Sequence, residues 1–146
     1  MKRLLLTISF ICLFLVGHTI VNGAEWVQYS EGTLDDKYFY DKANVTSDGK
    51  GAVTVWSKKI FSEKGKQAFM KQIEDSDYQK YKGISYELNL VVIKCSSRQY
   101  YITFMSQINT LGKEIDQYSP PTHDYRLIPP GSSSEALYSS VCKRKK

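Results

Sequence analysis

Alternating apolar and polar positions dominate the chain between residues 84 and 95, in the segment ISYELNLVVIKC. A repeat of two residues is the period of a β-strand, so this segment is predicted to be one long strand. One of its faces is apolar throughout and consists of Ile84, Tyr86, Leu88, Leu90 and Val92. The other face becomes apolar only at Val91, Ile93 and Cys95, which indicates that another element covers that end.

The next segment, SSRQYYITFMSQI, continues the alternation and predicts a neighbouring strand after a tight connection at Ser96 and Ser97. We expect Tyr100, Ile102, Phe104 and Ile108 to share one face of it. Further segments rich in β-branched and aromatic residues are separated by turn signals such as Asp48-Gly49. These segments are EWVQYS, DKYFYDKANV, AVTVWSKKIF, KEIDQYS and DYRLI. The pattern predicts an antiparallel, meander-like sheet of about six strands.

Two segments lack alternation. Between Ser62 and Gly83, the apolar residues Phe69 and Ile73 lie four apart, which predicts a short helix with one apolar stripe, although a mobile charged insertion is the alternative. Near the end of the chain, the segment IPPGSSSEALYSSVC places a capping-box pair, Ser132 and Glu135, just after two prolines and a glycine. A C-terminal helix of about ten residues is therefore predicted. The expected fold class is α+β.

The first residues have the composition of a secretory signal peptide. Lys2 and Arg3 precede an apolar run that is too short for a comfortable membrane span. We predict cleavage before Ala24, with cleavage after Ala24 as the alternative, so that residues 1–23 form a cleaved signal peptide and residues 24–146 a single domain. A retained N-terminal anchor is the other alternative. Cys12 lies inside the apolar run without a lipobox, and we therefore expect an exported, non-lipidated protein, periplasmic or secreted, with no transmembrane anchor.

Net charge argues against nucleic-acid binding. Removal of Lys2 and Arg3 lowers the formal charge from +5 to +3, and acids and bases are interspersed. The terminal KRKK run is interpreted as a solvated tail, with contact to anionic lipid or a polyanion as the alternative.

Only Cys95 and Cys142 remain after cleavage, and two cysteines in an oxidising compartment are expected to form a disulfide. This bond would tie the C-terminal helix to the sheet. Metal binding is disfavoured because His123 is the only histidine left and no CxxC or HxxxH spacing occurs. We expect no cofactor.

Catalytic chemistry has little support. No nucleophile elbow is present, and the acidic groups Asp35-Asp36 and Glu74-Asp75 lie in charged, loop-like stretches typical of a solvated surface. We therefore expect a protein that is not an enzyme.

Tyrosine is unusually frequent: all eleven tyrosines follow the predicted cleavage site. Tyrosines pack across strands and also enrich protein-binding surfaces, so both roles stay open. The candidate partner-binding residues combine tyrosines with nearby basic side chains, and are Tyr38, Tyr40, Lys58, Lys59, Arg98 and Tyr101.

The order of these elements resembles the surface-adhesin protein E family of small exported bacterial proteins. The resemblance rests on YFYD, VTVWSKKIFSEKGK, a cysteine that ends the long strand, and PPGS followed by a terminal VC. Tyr125 stands where related sequences commonly carry tryptophan, and the lipidation cysteine of the adhesins is missing.

The resemblance implies an antiparallel sheet backed by helix, an envelope location and binding of extracellular-matrix or plasma proteins. Our hypothesis is that the chain binds a protein partner, of the host matrix or the bacterial envelope, through an exposed sheet face or edge, and that a homodimer could form through an edge. Capture of a small, haem-like ligand by tyrosines and His123 is the alternative.

Overall fold

The computed structural model describes residues 23–142, so the predicted signal peptide, Cys12 and the KRKK tail lie outside the described residues. The elements, in chain order, are β1 Trp26–Glu31, β2 Lys37–Asp41, β3 Thr46–Ser47, β4 Ala52–Ile60, α1 Glu63–Met70, α2 Tyr78–Tyr81, β5 Ile84–Lys94, β6 Gln99–Asn109, β7 Glu114–Tyr118, β8 Arg126–Leu127 and α3 Ser133–Cys142.

Six of the strands form an antiparallel meander in the order β1-β2-β4-β5-β6-β7, which confirms the predicted sheet. The two-residue strands β3 and β8 add to β4 and β6 at the sheet margin. The turn before β4 forms because the Asp48 carboxylate accepts the backbone N–H groups of Lys50 and Ala52, and Gly49 adopts a positive φ of 71°. Local turn chemistry therefore sets this connection.

The core lies between the sheet and α3. Val55 and Ile93 are 0% and 1% exposed, and Leu137 and Val141 of α3 pack into the same cluster. The element predicted to cover the Cys95 end of β5 is thus α3.

A disulfide between Cys95 and Cys142 links the sheet to α3, as predicted. The helix starts where the capping signal indicated, because the Ser132 hydroxyl accepts the backbone N–H of Glu135 at 3.2 Å. The Glu135 carboxylate in turn accepts the N–H of Gly131. A helix of ten residues is marginal alone, so burial of its apolar side and the covalent bond hold it in place.

One prediction about β6 is wrong. Ile102 pairs with Val91 and faces α3, whereas Phe104 pairs with Leu90 and faces the other side of the sheet. A β-bulge between these two pairs inserts an extra residue, Thr103, into β6 and reverses the alternation beyond it. Period-two counting across the bulge therefore assigns Phe104, and also Ile108, which pairs with Tyr86, to the wrong face.

The mid-chain segment is helical, in two short pieces rather than one. Ser62 caps α1 by accepting the backbone N–H of Gly65, and Ile73 lies beyond the end of that helix. Phe69 packs against Phe61 and Tyr81, with ring centroids 5.3 Å and 5.7 Å apart. These aromatic contacts form a second apolar cluster, next to the end of β4.

Candidate functional site

The sheet face opposite α3 is apolar and half-exposed, and we call it the open face. Among the residues that alternate with the α3-facing core along each strand, its partly exposed members include Trp26, Phe39, Trp56, Lys58, Tyr86, Leu88, Leu90, Val92, Tyr101 and Phe104. Each of them keeps part of its surface accessible, in contrast to Val55 and Ile93 on the other face. An antiparallel sheet ordinarily turns polar side chains to solvent, so an apolar solvent face indicates a binding surface.

Lys58 lies among aromatic rings on this face. Its Nζ is 4.1 Å from the ring centroid of Trp26, 5.8 Å from that of Phe39 and 5.9 Å from that of Tyr86. These are cation–π distances, and the partial burial that comes with them lowers the pKa of Lys58. The ammonium group is therefore held in place and partly stripped of water before any partner arrives.

The centre of the open face is an aromatic and aliphatic row across three strands. Trp56 on β4, Leu90 on β5 and Phe104 on β6 are successive cross-strand neighbours. The Trp56 and Phe104 rings meet edge to face at a centroid distance of 5.9 Å. The Trp56 and Phe104 rings lie on the two strands that flank Leu90, and their contact orients both rings although neither is fully buried.

Aromatic rings stack around Tyr101 at the far end of the open face. The Tyr101 ring lies 4.8 Å from that of His123 and 4.6 Å from that of Tyr125, and the Nζ of Lys94 lies 3.5 Å from the Tyr125 centroid. Desolvation, and then the neighbouring Tyr125 hydroxyl, raise the pKa of Tyr101. The segment before β8 thus covers this end of the face.

The helix side of the sheet has a separate cleft of about 140 Å³, between strands β2, β4, β5 and the start of α3. Within it the Tyr29 hydroxyl shares a hydrogen bond of 2.9 Å with Ser57, and burial raises the pKa of Tyr29 to about 12. Lys59 reaches from the same cleft to the buried Asp36, with an N–O distance of 3.1 Å.

Comparison with known proteins identifies the family. A family model described as surface-adhesin protein E matches residues 26–143, a range that contains every strand and helix described above. The chain belongs to the surface-adhesin protein E family. Searches of curated proteins and of solved structures found no significant match.

Family membership implies a surface or exported location. None of the helices between residues 23 and 142 is long and apolar enough to cross a membrane.

The structure places two of the predicted partner-binding residues on the open face. Lys58 lies next to the Trp26 ring at one end, and Tyr101 lies at the other end in contact with His123 and Tyr125. They mark opposite ends of one surface and do not touch each other.

The remaining predicted residues lie elsewhere. Tyr38 and Lys59 line the cleft on the helix side. Tyr40 is 7% exposed and belongs to the core. Arg98 occupies the β5–β6 turn with a positive φ of 51° and forms an ion pair of 2.5 Å with Glu135 of α3. These four are not part of the open face.

Sequence reasoning missed the residues at the centre of that face. Trp56 and Leu90 belong to alternating apolar runs, which are equally typical of a buried core, so the pattern by itself does not mark them as exposed. A usable signal was present: β5 has one face apolar along its whole length and a second face that is apolar at one end only, and both cannot be covered by a single short helix.

His123, the proposed haem ligand, has its ring stacked on Tyr101. In the part of the chain that the structure describes, no cluster of three or more histidine, cysteine, aspartate or glutamate side chains could hold a metal ion. The family match lends no support to haem-like capture.

Proposed function

We propose that this protein is a non-enzymatic, exported adhesin of the bacterial envelope, which binds an extracellular-matrix or plasma protein through the open face. One observation carries the proposal: the apolar face of the sheet stays half-exposed while the disulfide-tied helix covers the opposite face. Membership of the surface-adhesin protein E family supports the class of partner.

The size of the face suits a stable protein contact. Six strands spaced about 4.8 Å apart give a width of roughly 24 Å, and nine residues of β4 at about 3.4 Å each give a length of roughly 30 Å. The product is about 700 Å², close to the roughly 800 Å² that one partner contributes to an interface of standard size. The six strands together therefore provide a surface of about the size that a stable contact needs.

The chemistry of the face indicates what it would bind. Trp56 and Phe104 offer rigid aromatic area of the kind that dominates interface energetics. Lys58 and Lys94 add cations whose water is already partly displaced by aromatic rings. A complementary partner presents an apolar patch that carries carboxylates, because these would pair with the two ammonium groups.

The direct test measures binding of the exported protein to a panel of immobilised matrix and plasma proteins by surface plasmon resonance. We expect Trp56→Ala and Lys58→Glu each to weaken the contact roughly tenfold or more, since truncating an aromatic anchor or reversing a central charge costs over about 1.4 kcal/mol. The controls lie in the exposed β6–β7 turn and are Leu111→Ala, a truncation of an apolar side chain, and Lys113→Glu, the same charge reversal. Both controls should bind like the wild type.

The proposal fails if no panel member binds the wild-type protein, or if the two open-face variants remain folded by circular dichroism and bind unchanged. A second copy of the chain is the competing occupant of the face. Light scattering that shows a dimer dissociated by Trp56→Ala would assign the face to self-association and overturn the proposed role. A monomer that binds a panel protein would support it.

The proposed location is tested separately. Export predicts a mature chain that begins at Ala24 or Glu25, carries no lipid and has no free thiol at Cys95 or Cys142. Intact-mass measurement under alkylation, with and without reductant, reports all three properties. An uncleaved N-terminus would remove the export part of the proposal.

A further inference from the structure

The outer edge of β6 is left without a strand partner at its middle. β8 pairs with β6 as far as Tyr100 and β7 pairs with it from Met105 onward, so the four residues between these positions have no strand partner on this side. The backbone N–H of Ile128, just after β8, donates to the Arg98 carbonyl at 3.0 Å. Because successive residues of a strand turn their backbone groups alternately to its two neighbours, Ile102 turns its N–H and C=O to the same side, into the gap.

The gap opens into a pocket of about 340 Å³ between β6 and the loop of residues 119–125, which we call the edge pocket. Met105, Tyr118 and Pro120 give it an apolar and aromatic lining. Its volume lies at the lower end of the roughly 300 to 1,000 Å³ of small-ligand sites. The same loop joins β7 to β8, so an added strand could not continue past either end of the gap. The edge pocket therefore suits a molecule about one residue long.

Two opposite charges line the edge pocket, those of Asp124 and Arg126. The Asp124 carboxylate accepts the Thr122 hydroxyl at 3.0 Å. Within residues 23–142, no ion pair joins Asp124 or Arg126 to each other or to another side chain. The lining is thus balanced in charge, and its complement is a molecule that carries one charge of each sign.

We propose that the edge pocket binds a free α-amino acid with an apolar side chain. Its carboxylate pairs with Arg126 and accepts the Ile102 N–H. Its ammonium group pairs with Asp124 and donates to the Ile102 carbonyl. The apolar side chain packs against Met105 and Pro120.

The backbone geometry supports this choice of ligand. In a hydrogen-bonded pair of an antiparallel sheet, each residue donates one N–H and accepts with one C=O. An α-amino acid presents a donor and an acceptor in the same order, so it replaces the strand residue that Ile102 lacks on this side. Both of its groups are charged, and hydrogen bonds to charged groups are the stronger ones. The site does not rest on the adhesin role.

The test is an NMR titration of the isotope-labelled exported protein with L-leucine. We expect saturable binding at millimolar concentrations that shifts the backbone amide signal of Ile102. N-acetylleucine lacks the ammonium group and leucinamide lacks the carboxylate, so each should bind about tenfold more weakly. Glycine should also bind about tenfold more weakly, because it buries no apolar side chain.

Two variants assign each charge to its partner. Arg126→Gln and Asp124→Asn should each weaken leucine binding about tenfold. Arg126→Gln should in addition bind leucine and leucinamide alike, and Asp124→Asn should bind leucine and N-acetylleucine alike, because the group that tells them apart is gone. The controls Lys113→Gln and Asp75→Asn remove one charge of each sign at exposed positions and should bind leucine like the wild type.

The proposal is overturned if leucine gives no saturable shift, if both singly charged probes bind as tightly as leucine, or if both folded pocket variants keep their affinity. Tighter binding of the dipeptide leucylleucine would overturn the assignment to a free amino acid. Trp56→Ala should bind leucine like the wild type, so failure of this proposal and failure of the adhesin proposal are distinguishable.

Discussion

Replacement of Gly65 by alanine tests the packing most directly. The structure predicts that this change lowers the free energy of unfolding, whereas Gly→Ala inside a helix ordinarily raises it. In the middle of a helix, Gly→Ala ordinarily stabilises a protein by about 0.5 to 1 kcal/mol. Gly65 is a helical residue of α1, but a Cβ built on it would lie 2.6 Å from Cγ of Asp36 and closer still to Oδ1. The missing side chain makes room for a carboxylate.

The Asp36 carboxylate cannot move away without breaking contacts that stabilise the fold. Asp36 is 2% exposed; it accepts the backbone N–H of Ser62 at 2.8 Å and pairs with Lys59 at 3.1 Å. Overpacking costs about 1 to 3 kcal/mol, and a disrupted buried ion pair costs about 3 to 5 kcal/mol. Subtracting the helical gain, we expect Gly65→Ala to destabilise the protein by about 2 kcal/mol or more.

Urea unfolding followed by circular dichroism measures this effect. The matched experiment is a double-mutant cycle with Asp36→Ala, which removes the group that collides. In that background Gly65→Ala should be neutral or stabilising, because only the helical propensity remains. A stabilising Gly65→Ala in the otherwise wild-type chain, or an equal loss in both backgrounds, would refute the reasoning.

Two further predictions concern the bridge and the buried tyrosine. Replacing both Cys95 and Cys142 by alanine removes a link across a sequence separation of 47 and should lower the free energy of unfolding by about 4 kcal/mol; urea curves that match those of the oxidised wild type would contradict this. Tyr29 keeps its proton in the folded state up to a pKa of about 12, against 10.0 in the unfolded chain, so stability should fall by about 2 to 3 kcal/mol as pH rises from 10 to 12 and the unfolded chain ionises first. Tyr29→Phe should lack this contribution to the pH dependence; an identical slope in both proteins would contradict the assignment.

Much of the fold follows from local signals in the sequence. The period-two runs predict the strands of the meander because each strand's alternation is a property of its own backbone. The capping pair Ser132 and Glu135 predicts the start of α3 for the same reason: the hydrogen bonds join residues three apart. Two cysteines remain after the predicted signal cleavage, and an oxidising compartment favours a disulfide between them. The bond between Cys95 and Cys142 is therefore predicted without knowledge of the structure.

Long-range packing decided what the sequence left open. Period two divides β5 into two faces, but the bulge that transfers Phe104 to the open face depends on pairing with β5. The neighbours Lys58 and Lys59 look equivalent in the sequence, yet one lies over the Trp26 ring and the other pairs with Asp36 on the opposite side. Local periodicity sets the orientation of each side chain relative to the sheet, whereas its exposure depends on where a distant helix docks. The extent of the open face was therefore decided by the tertiary structure.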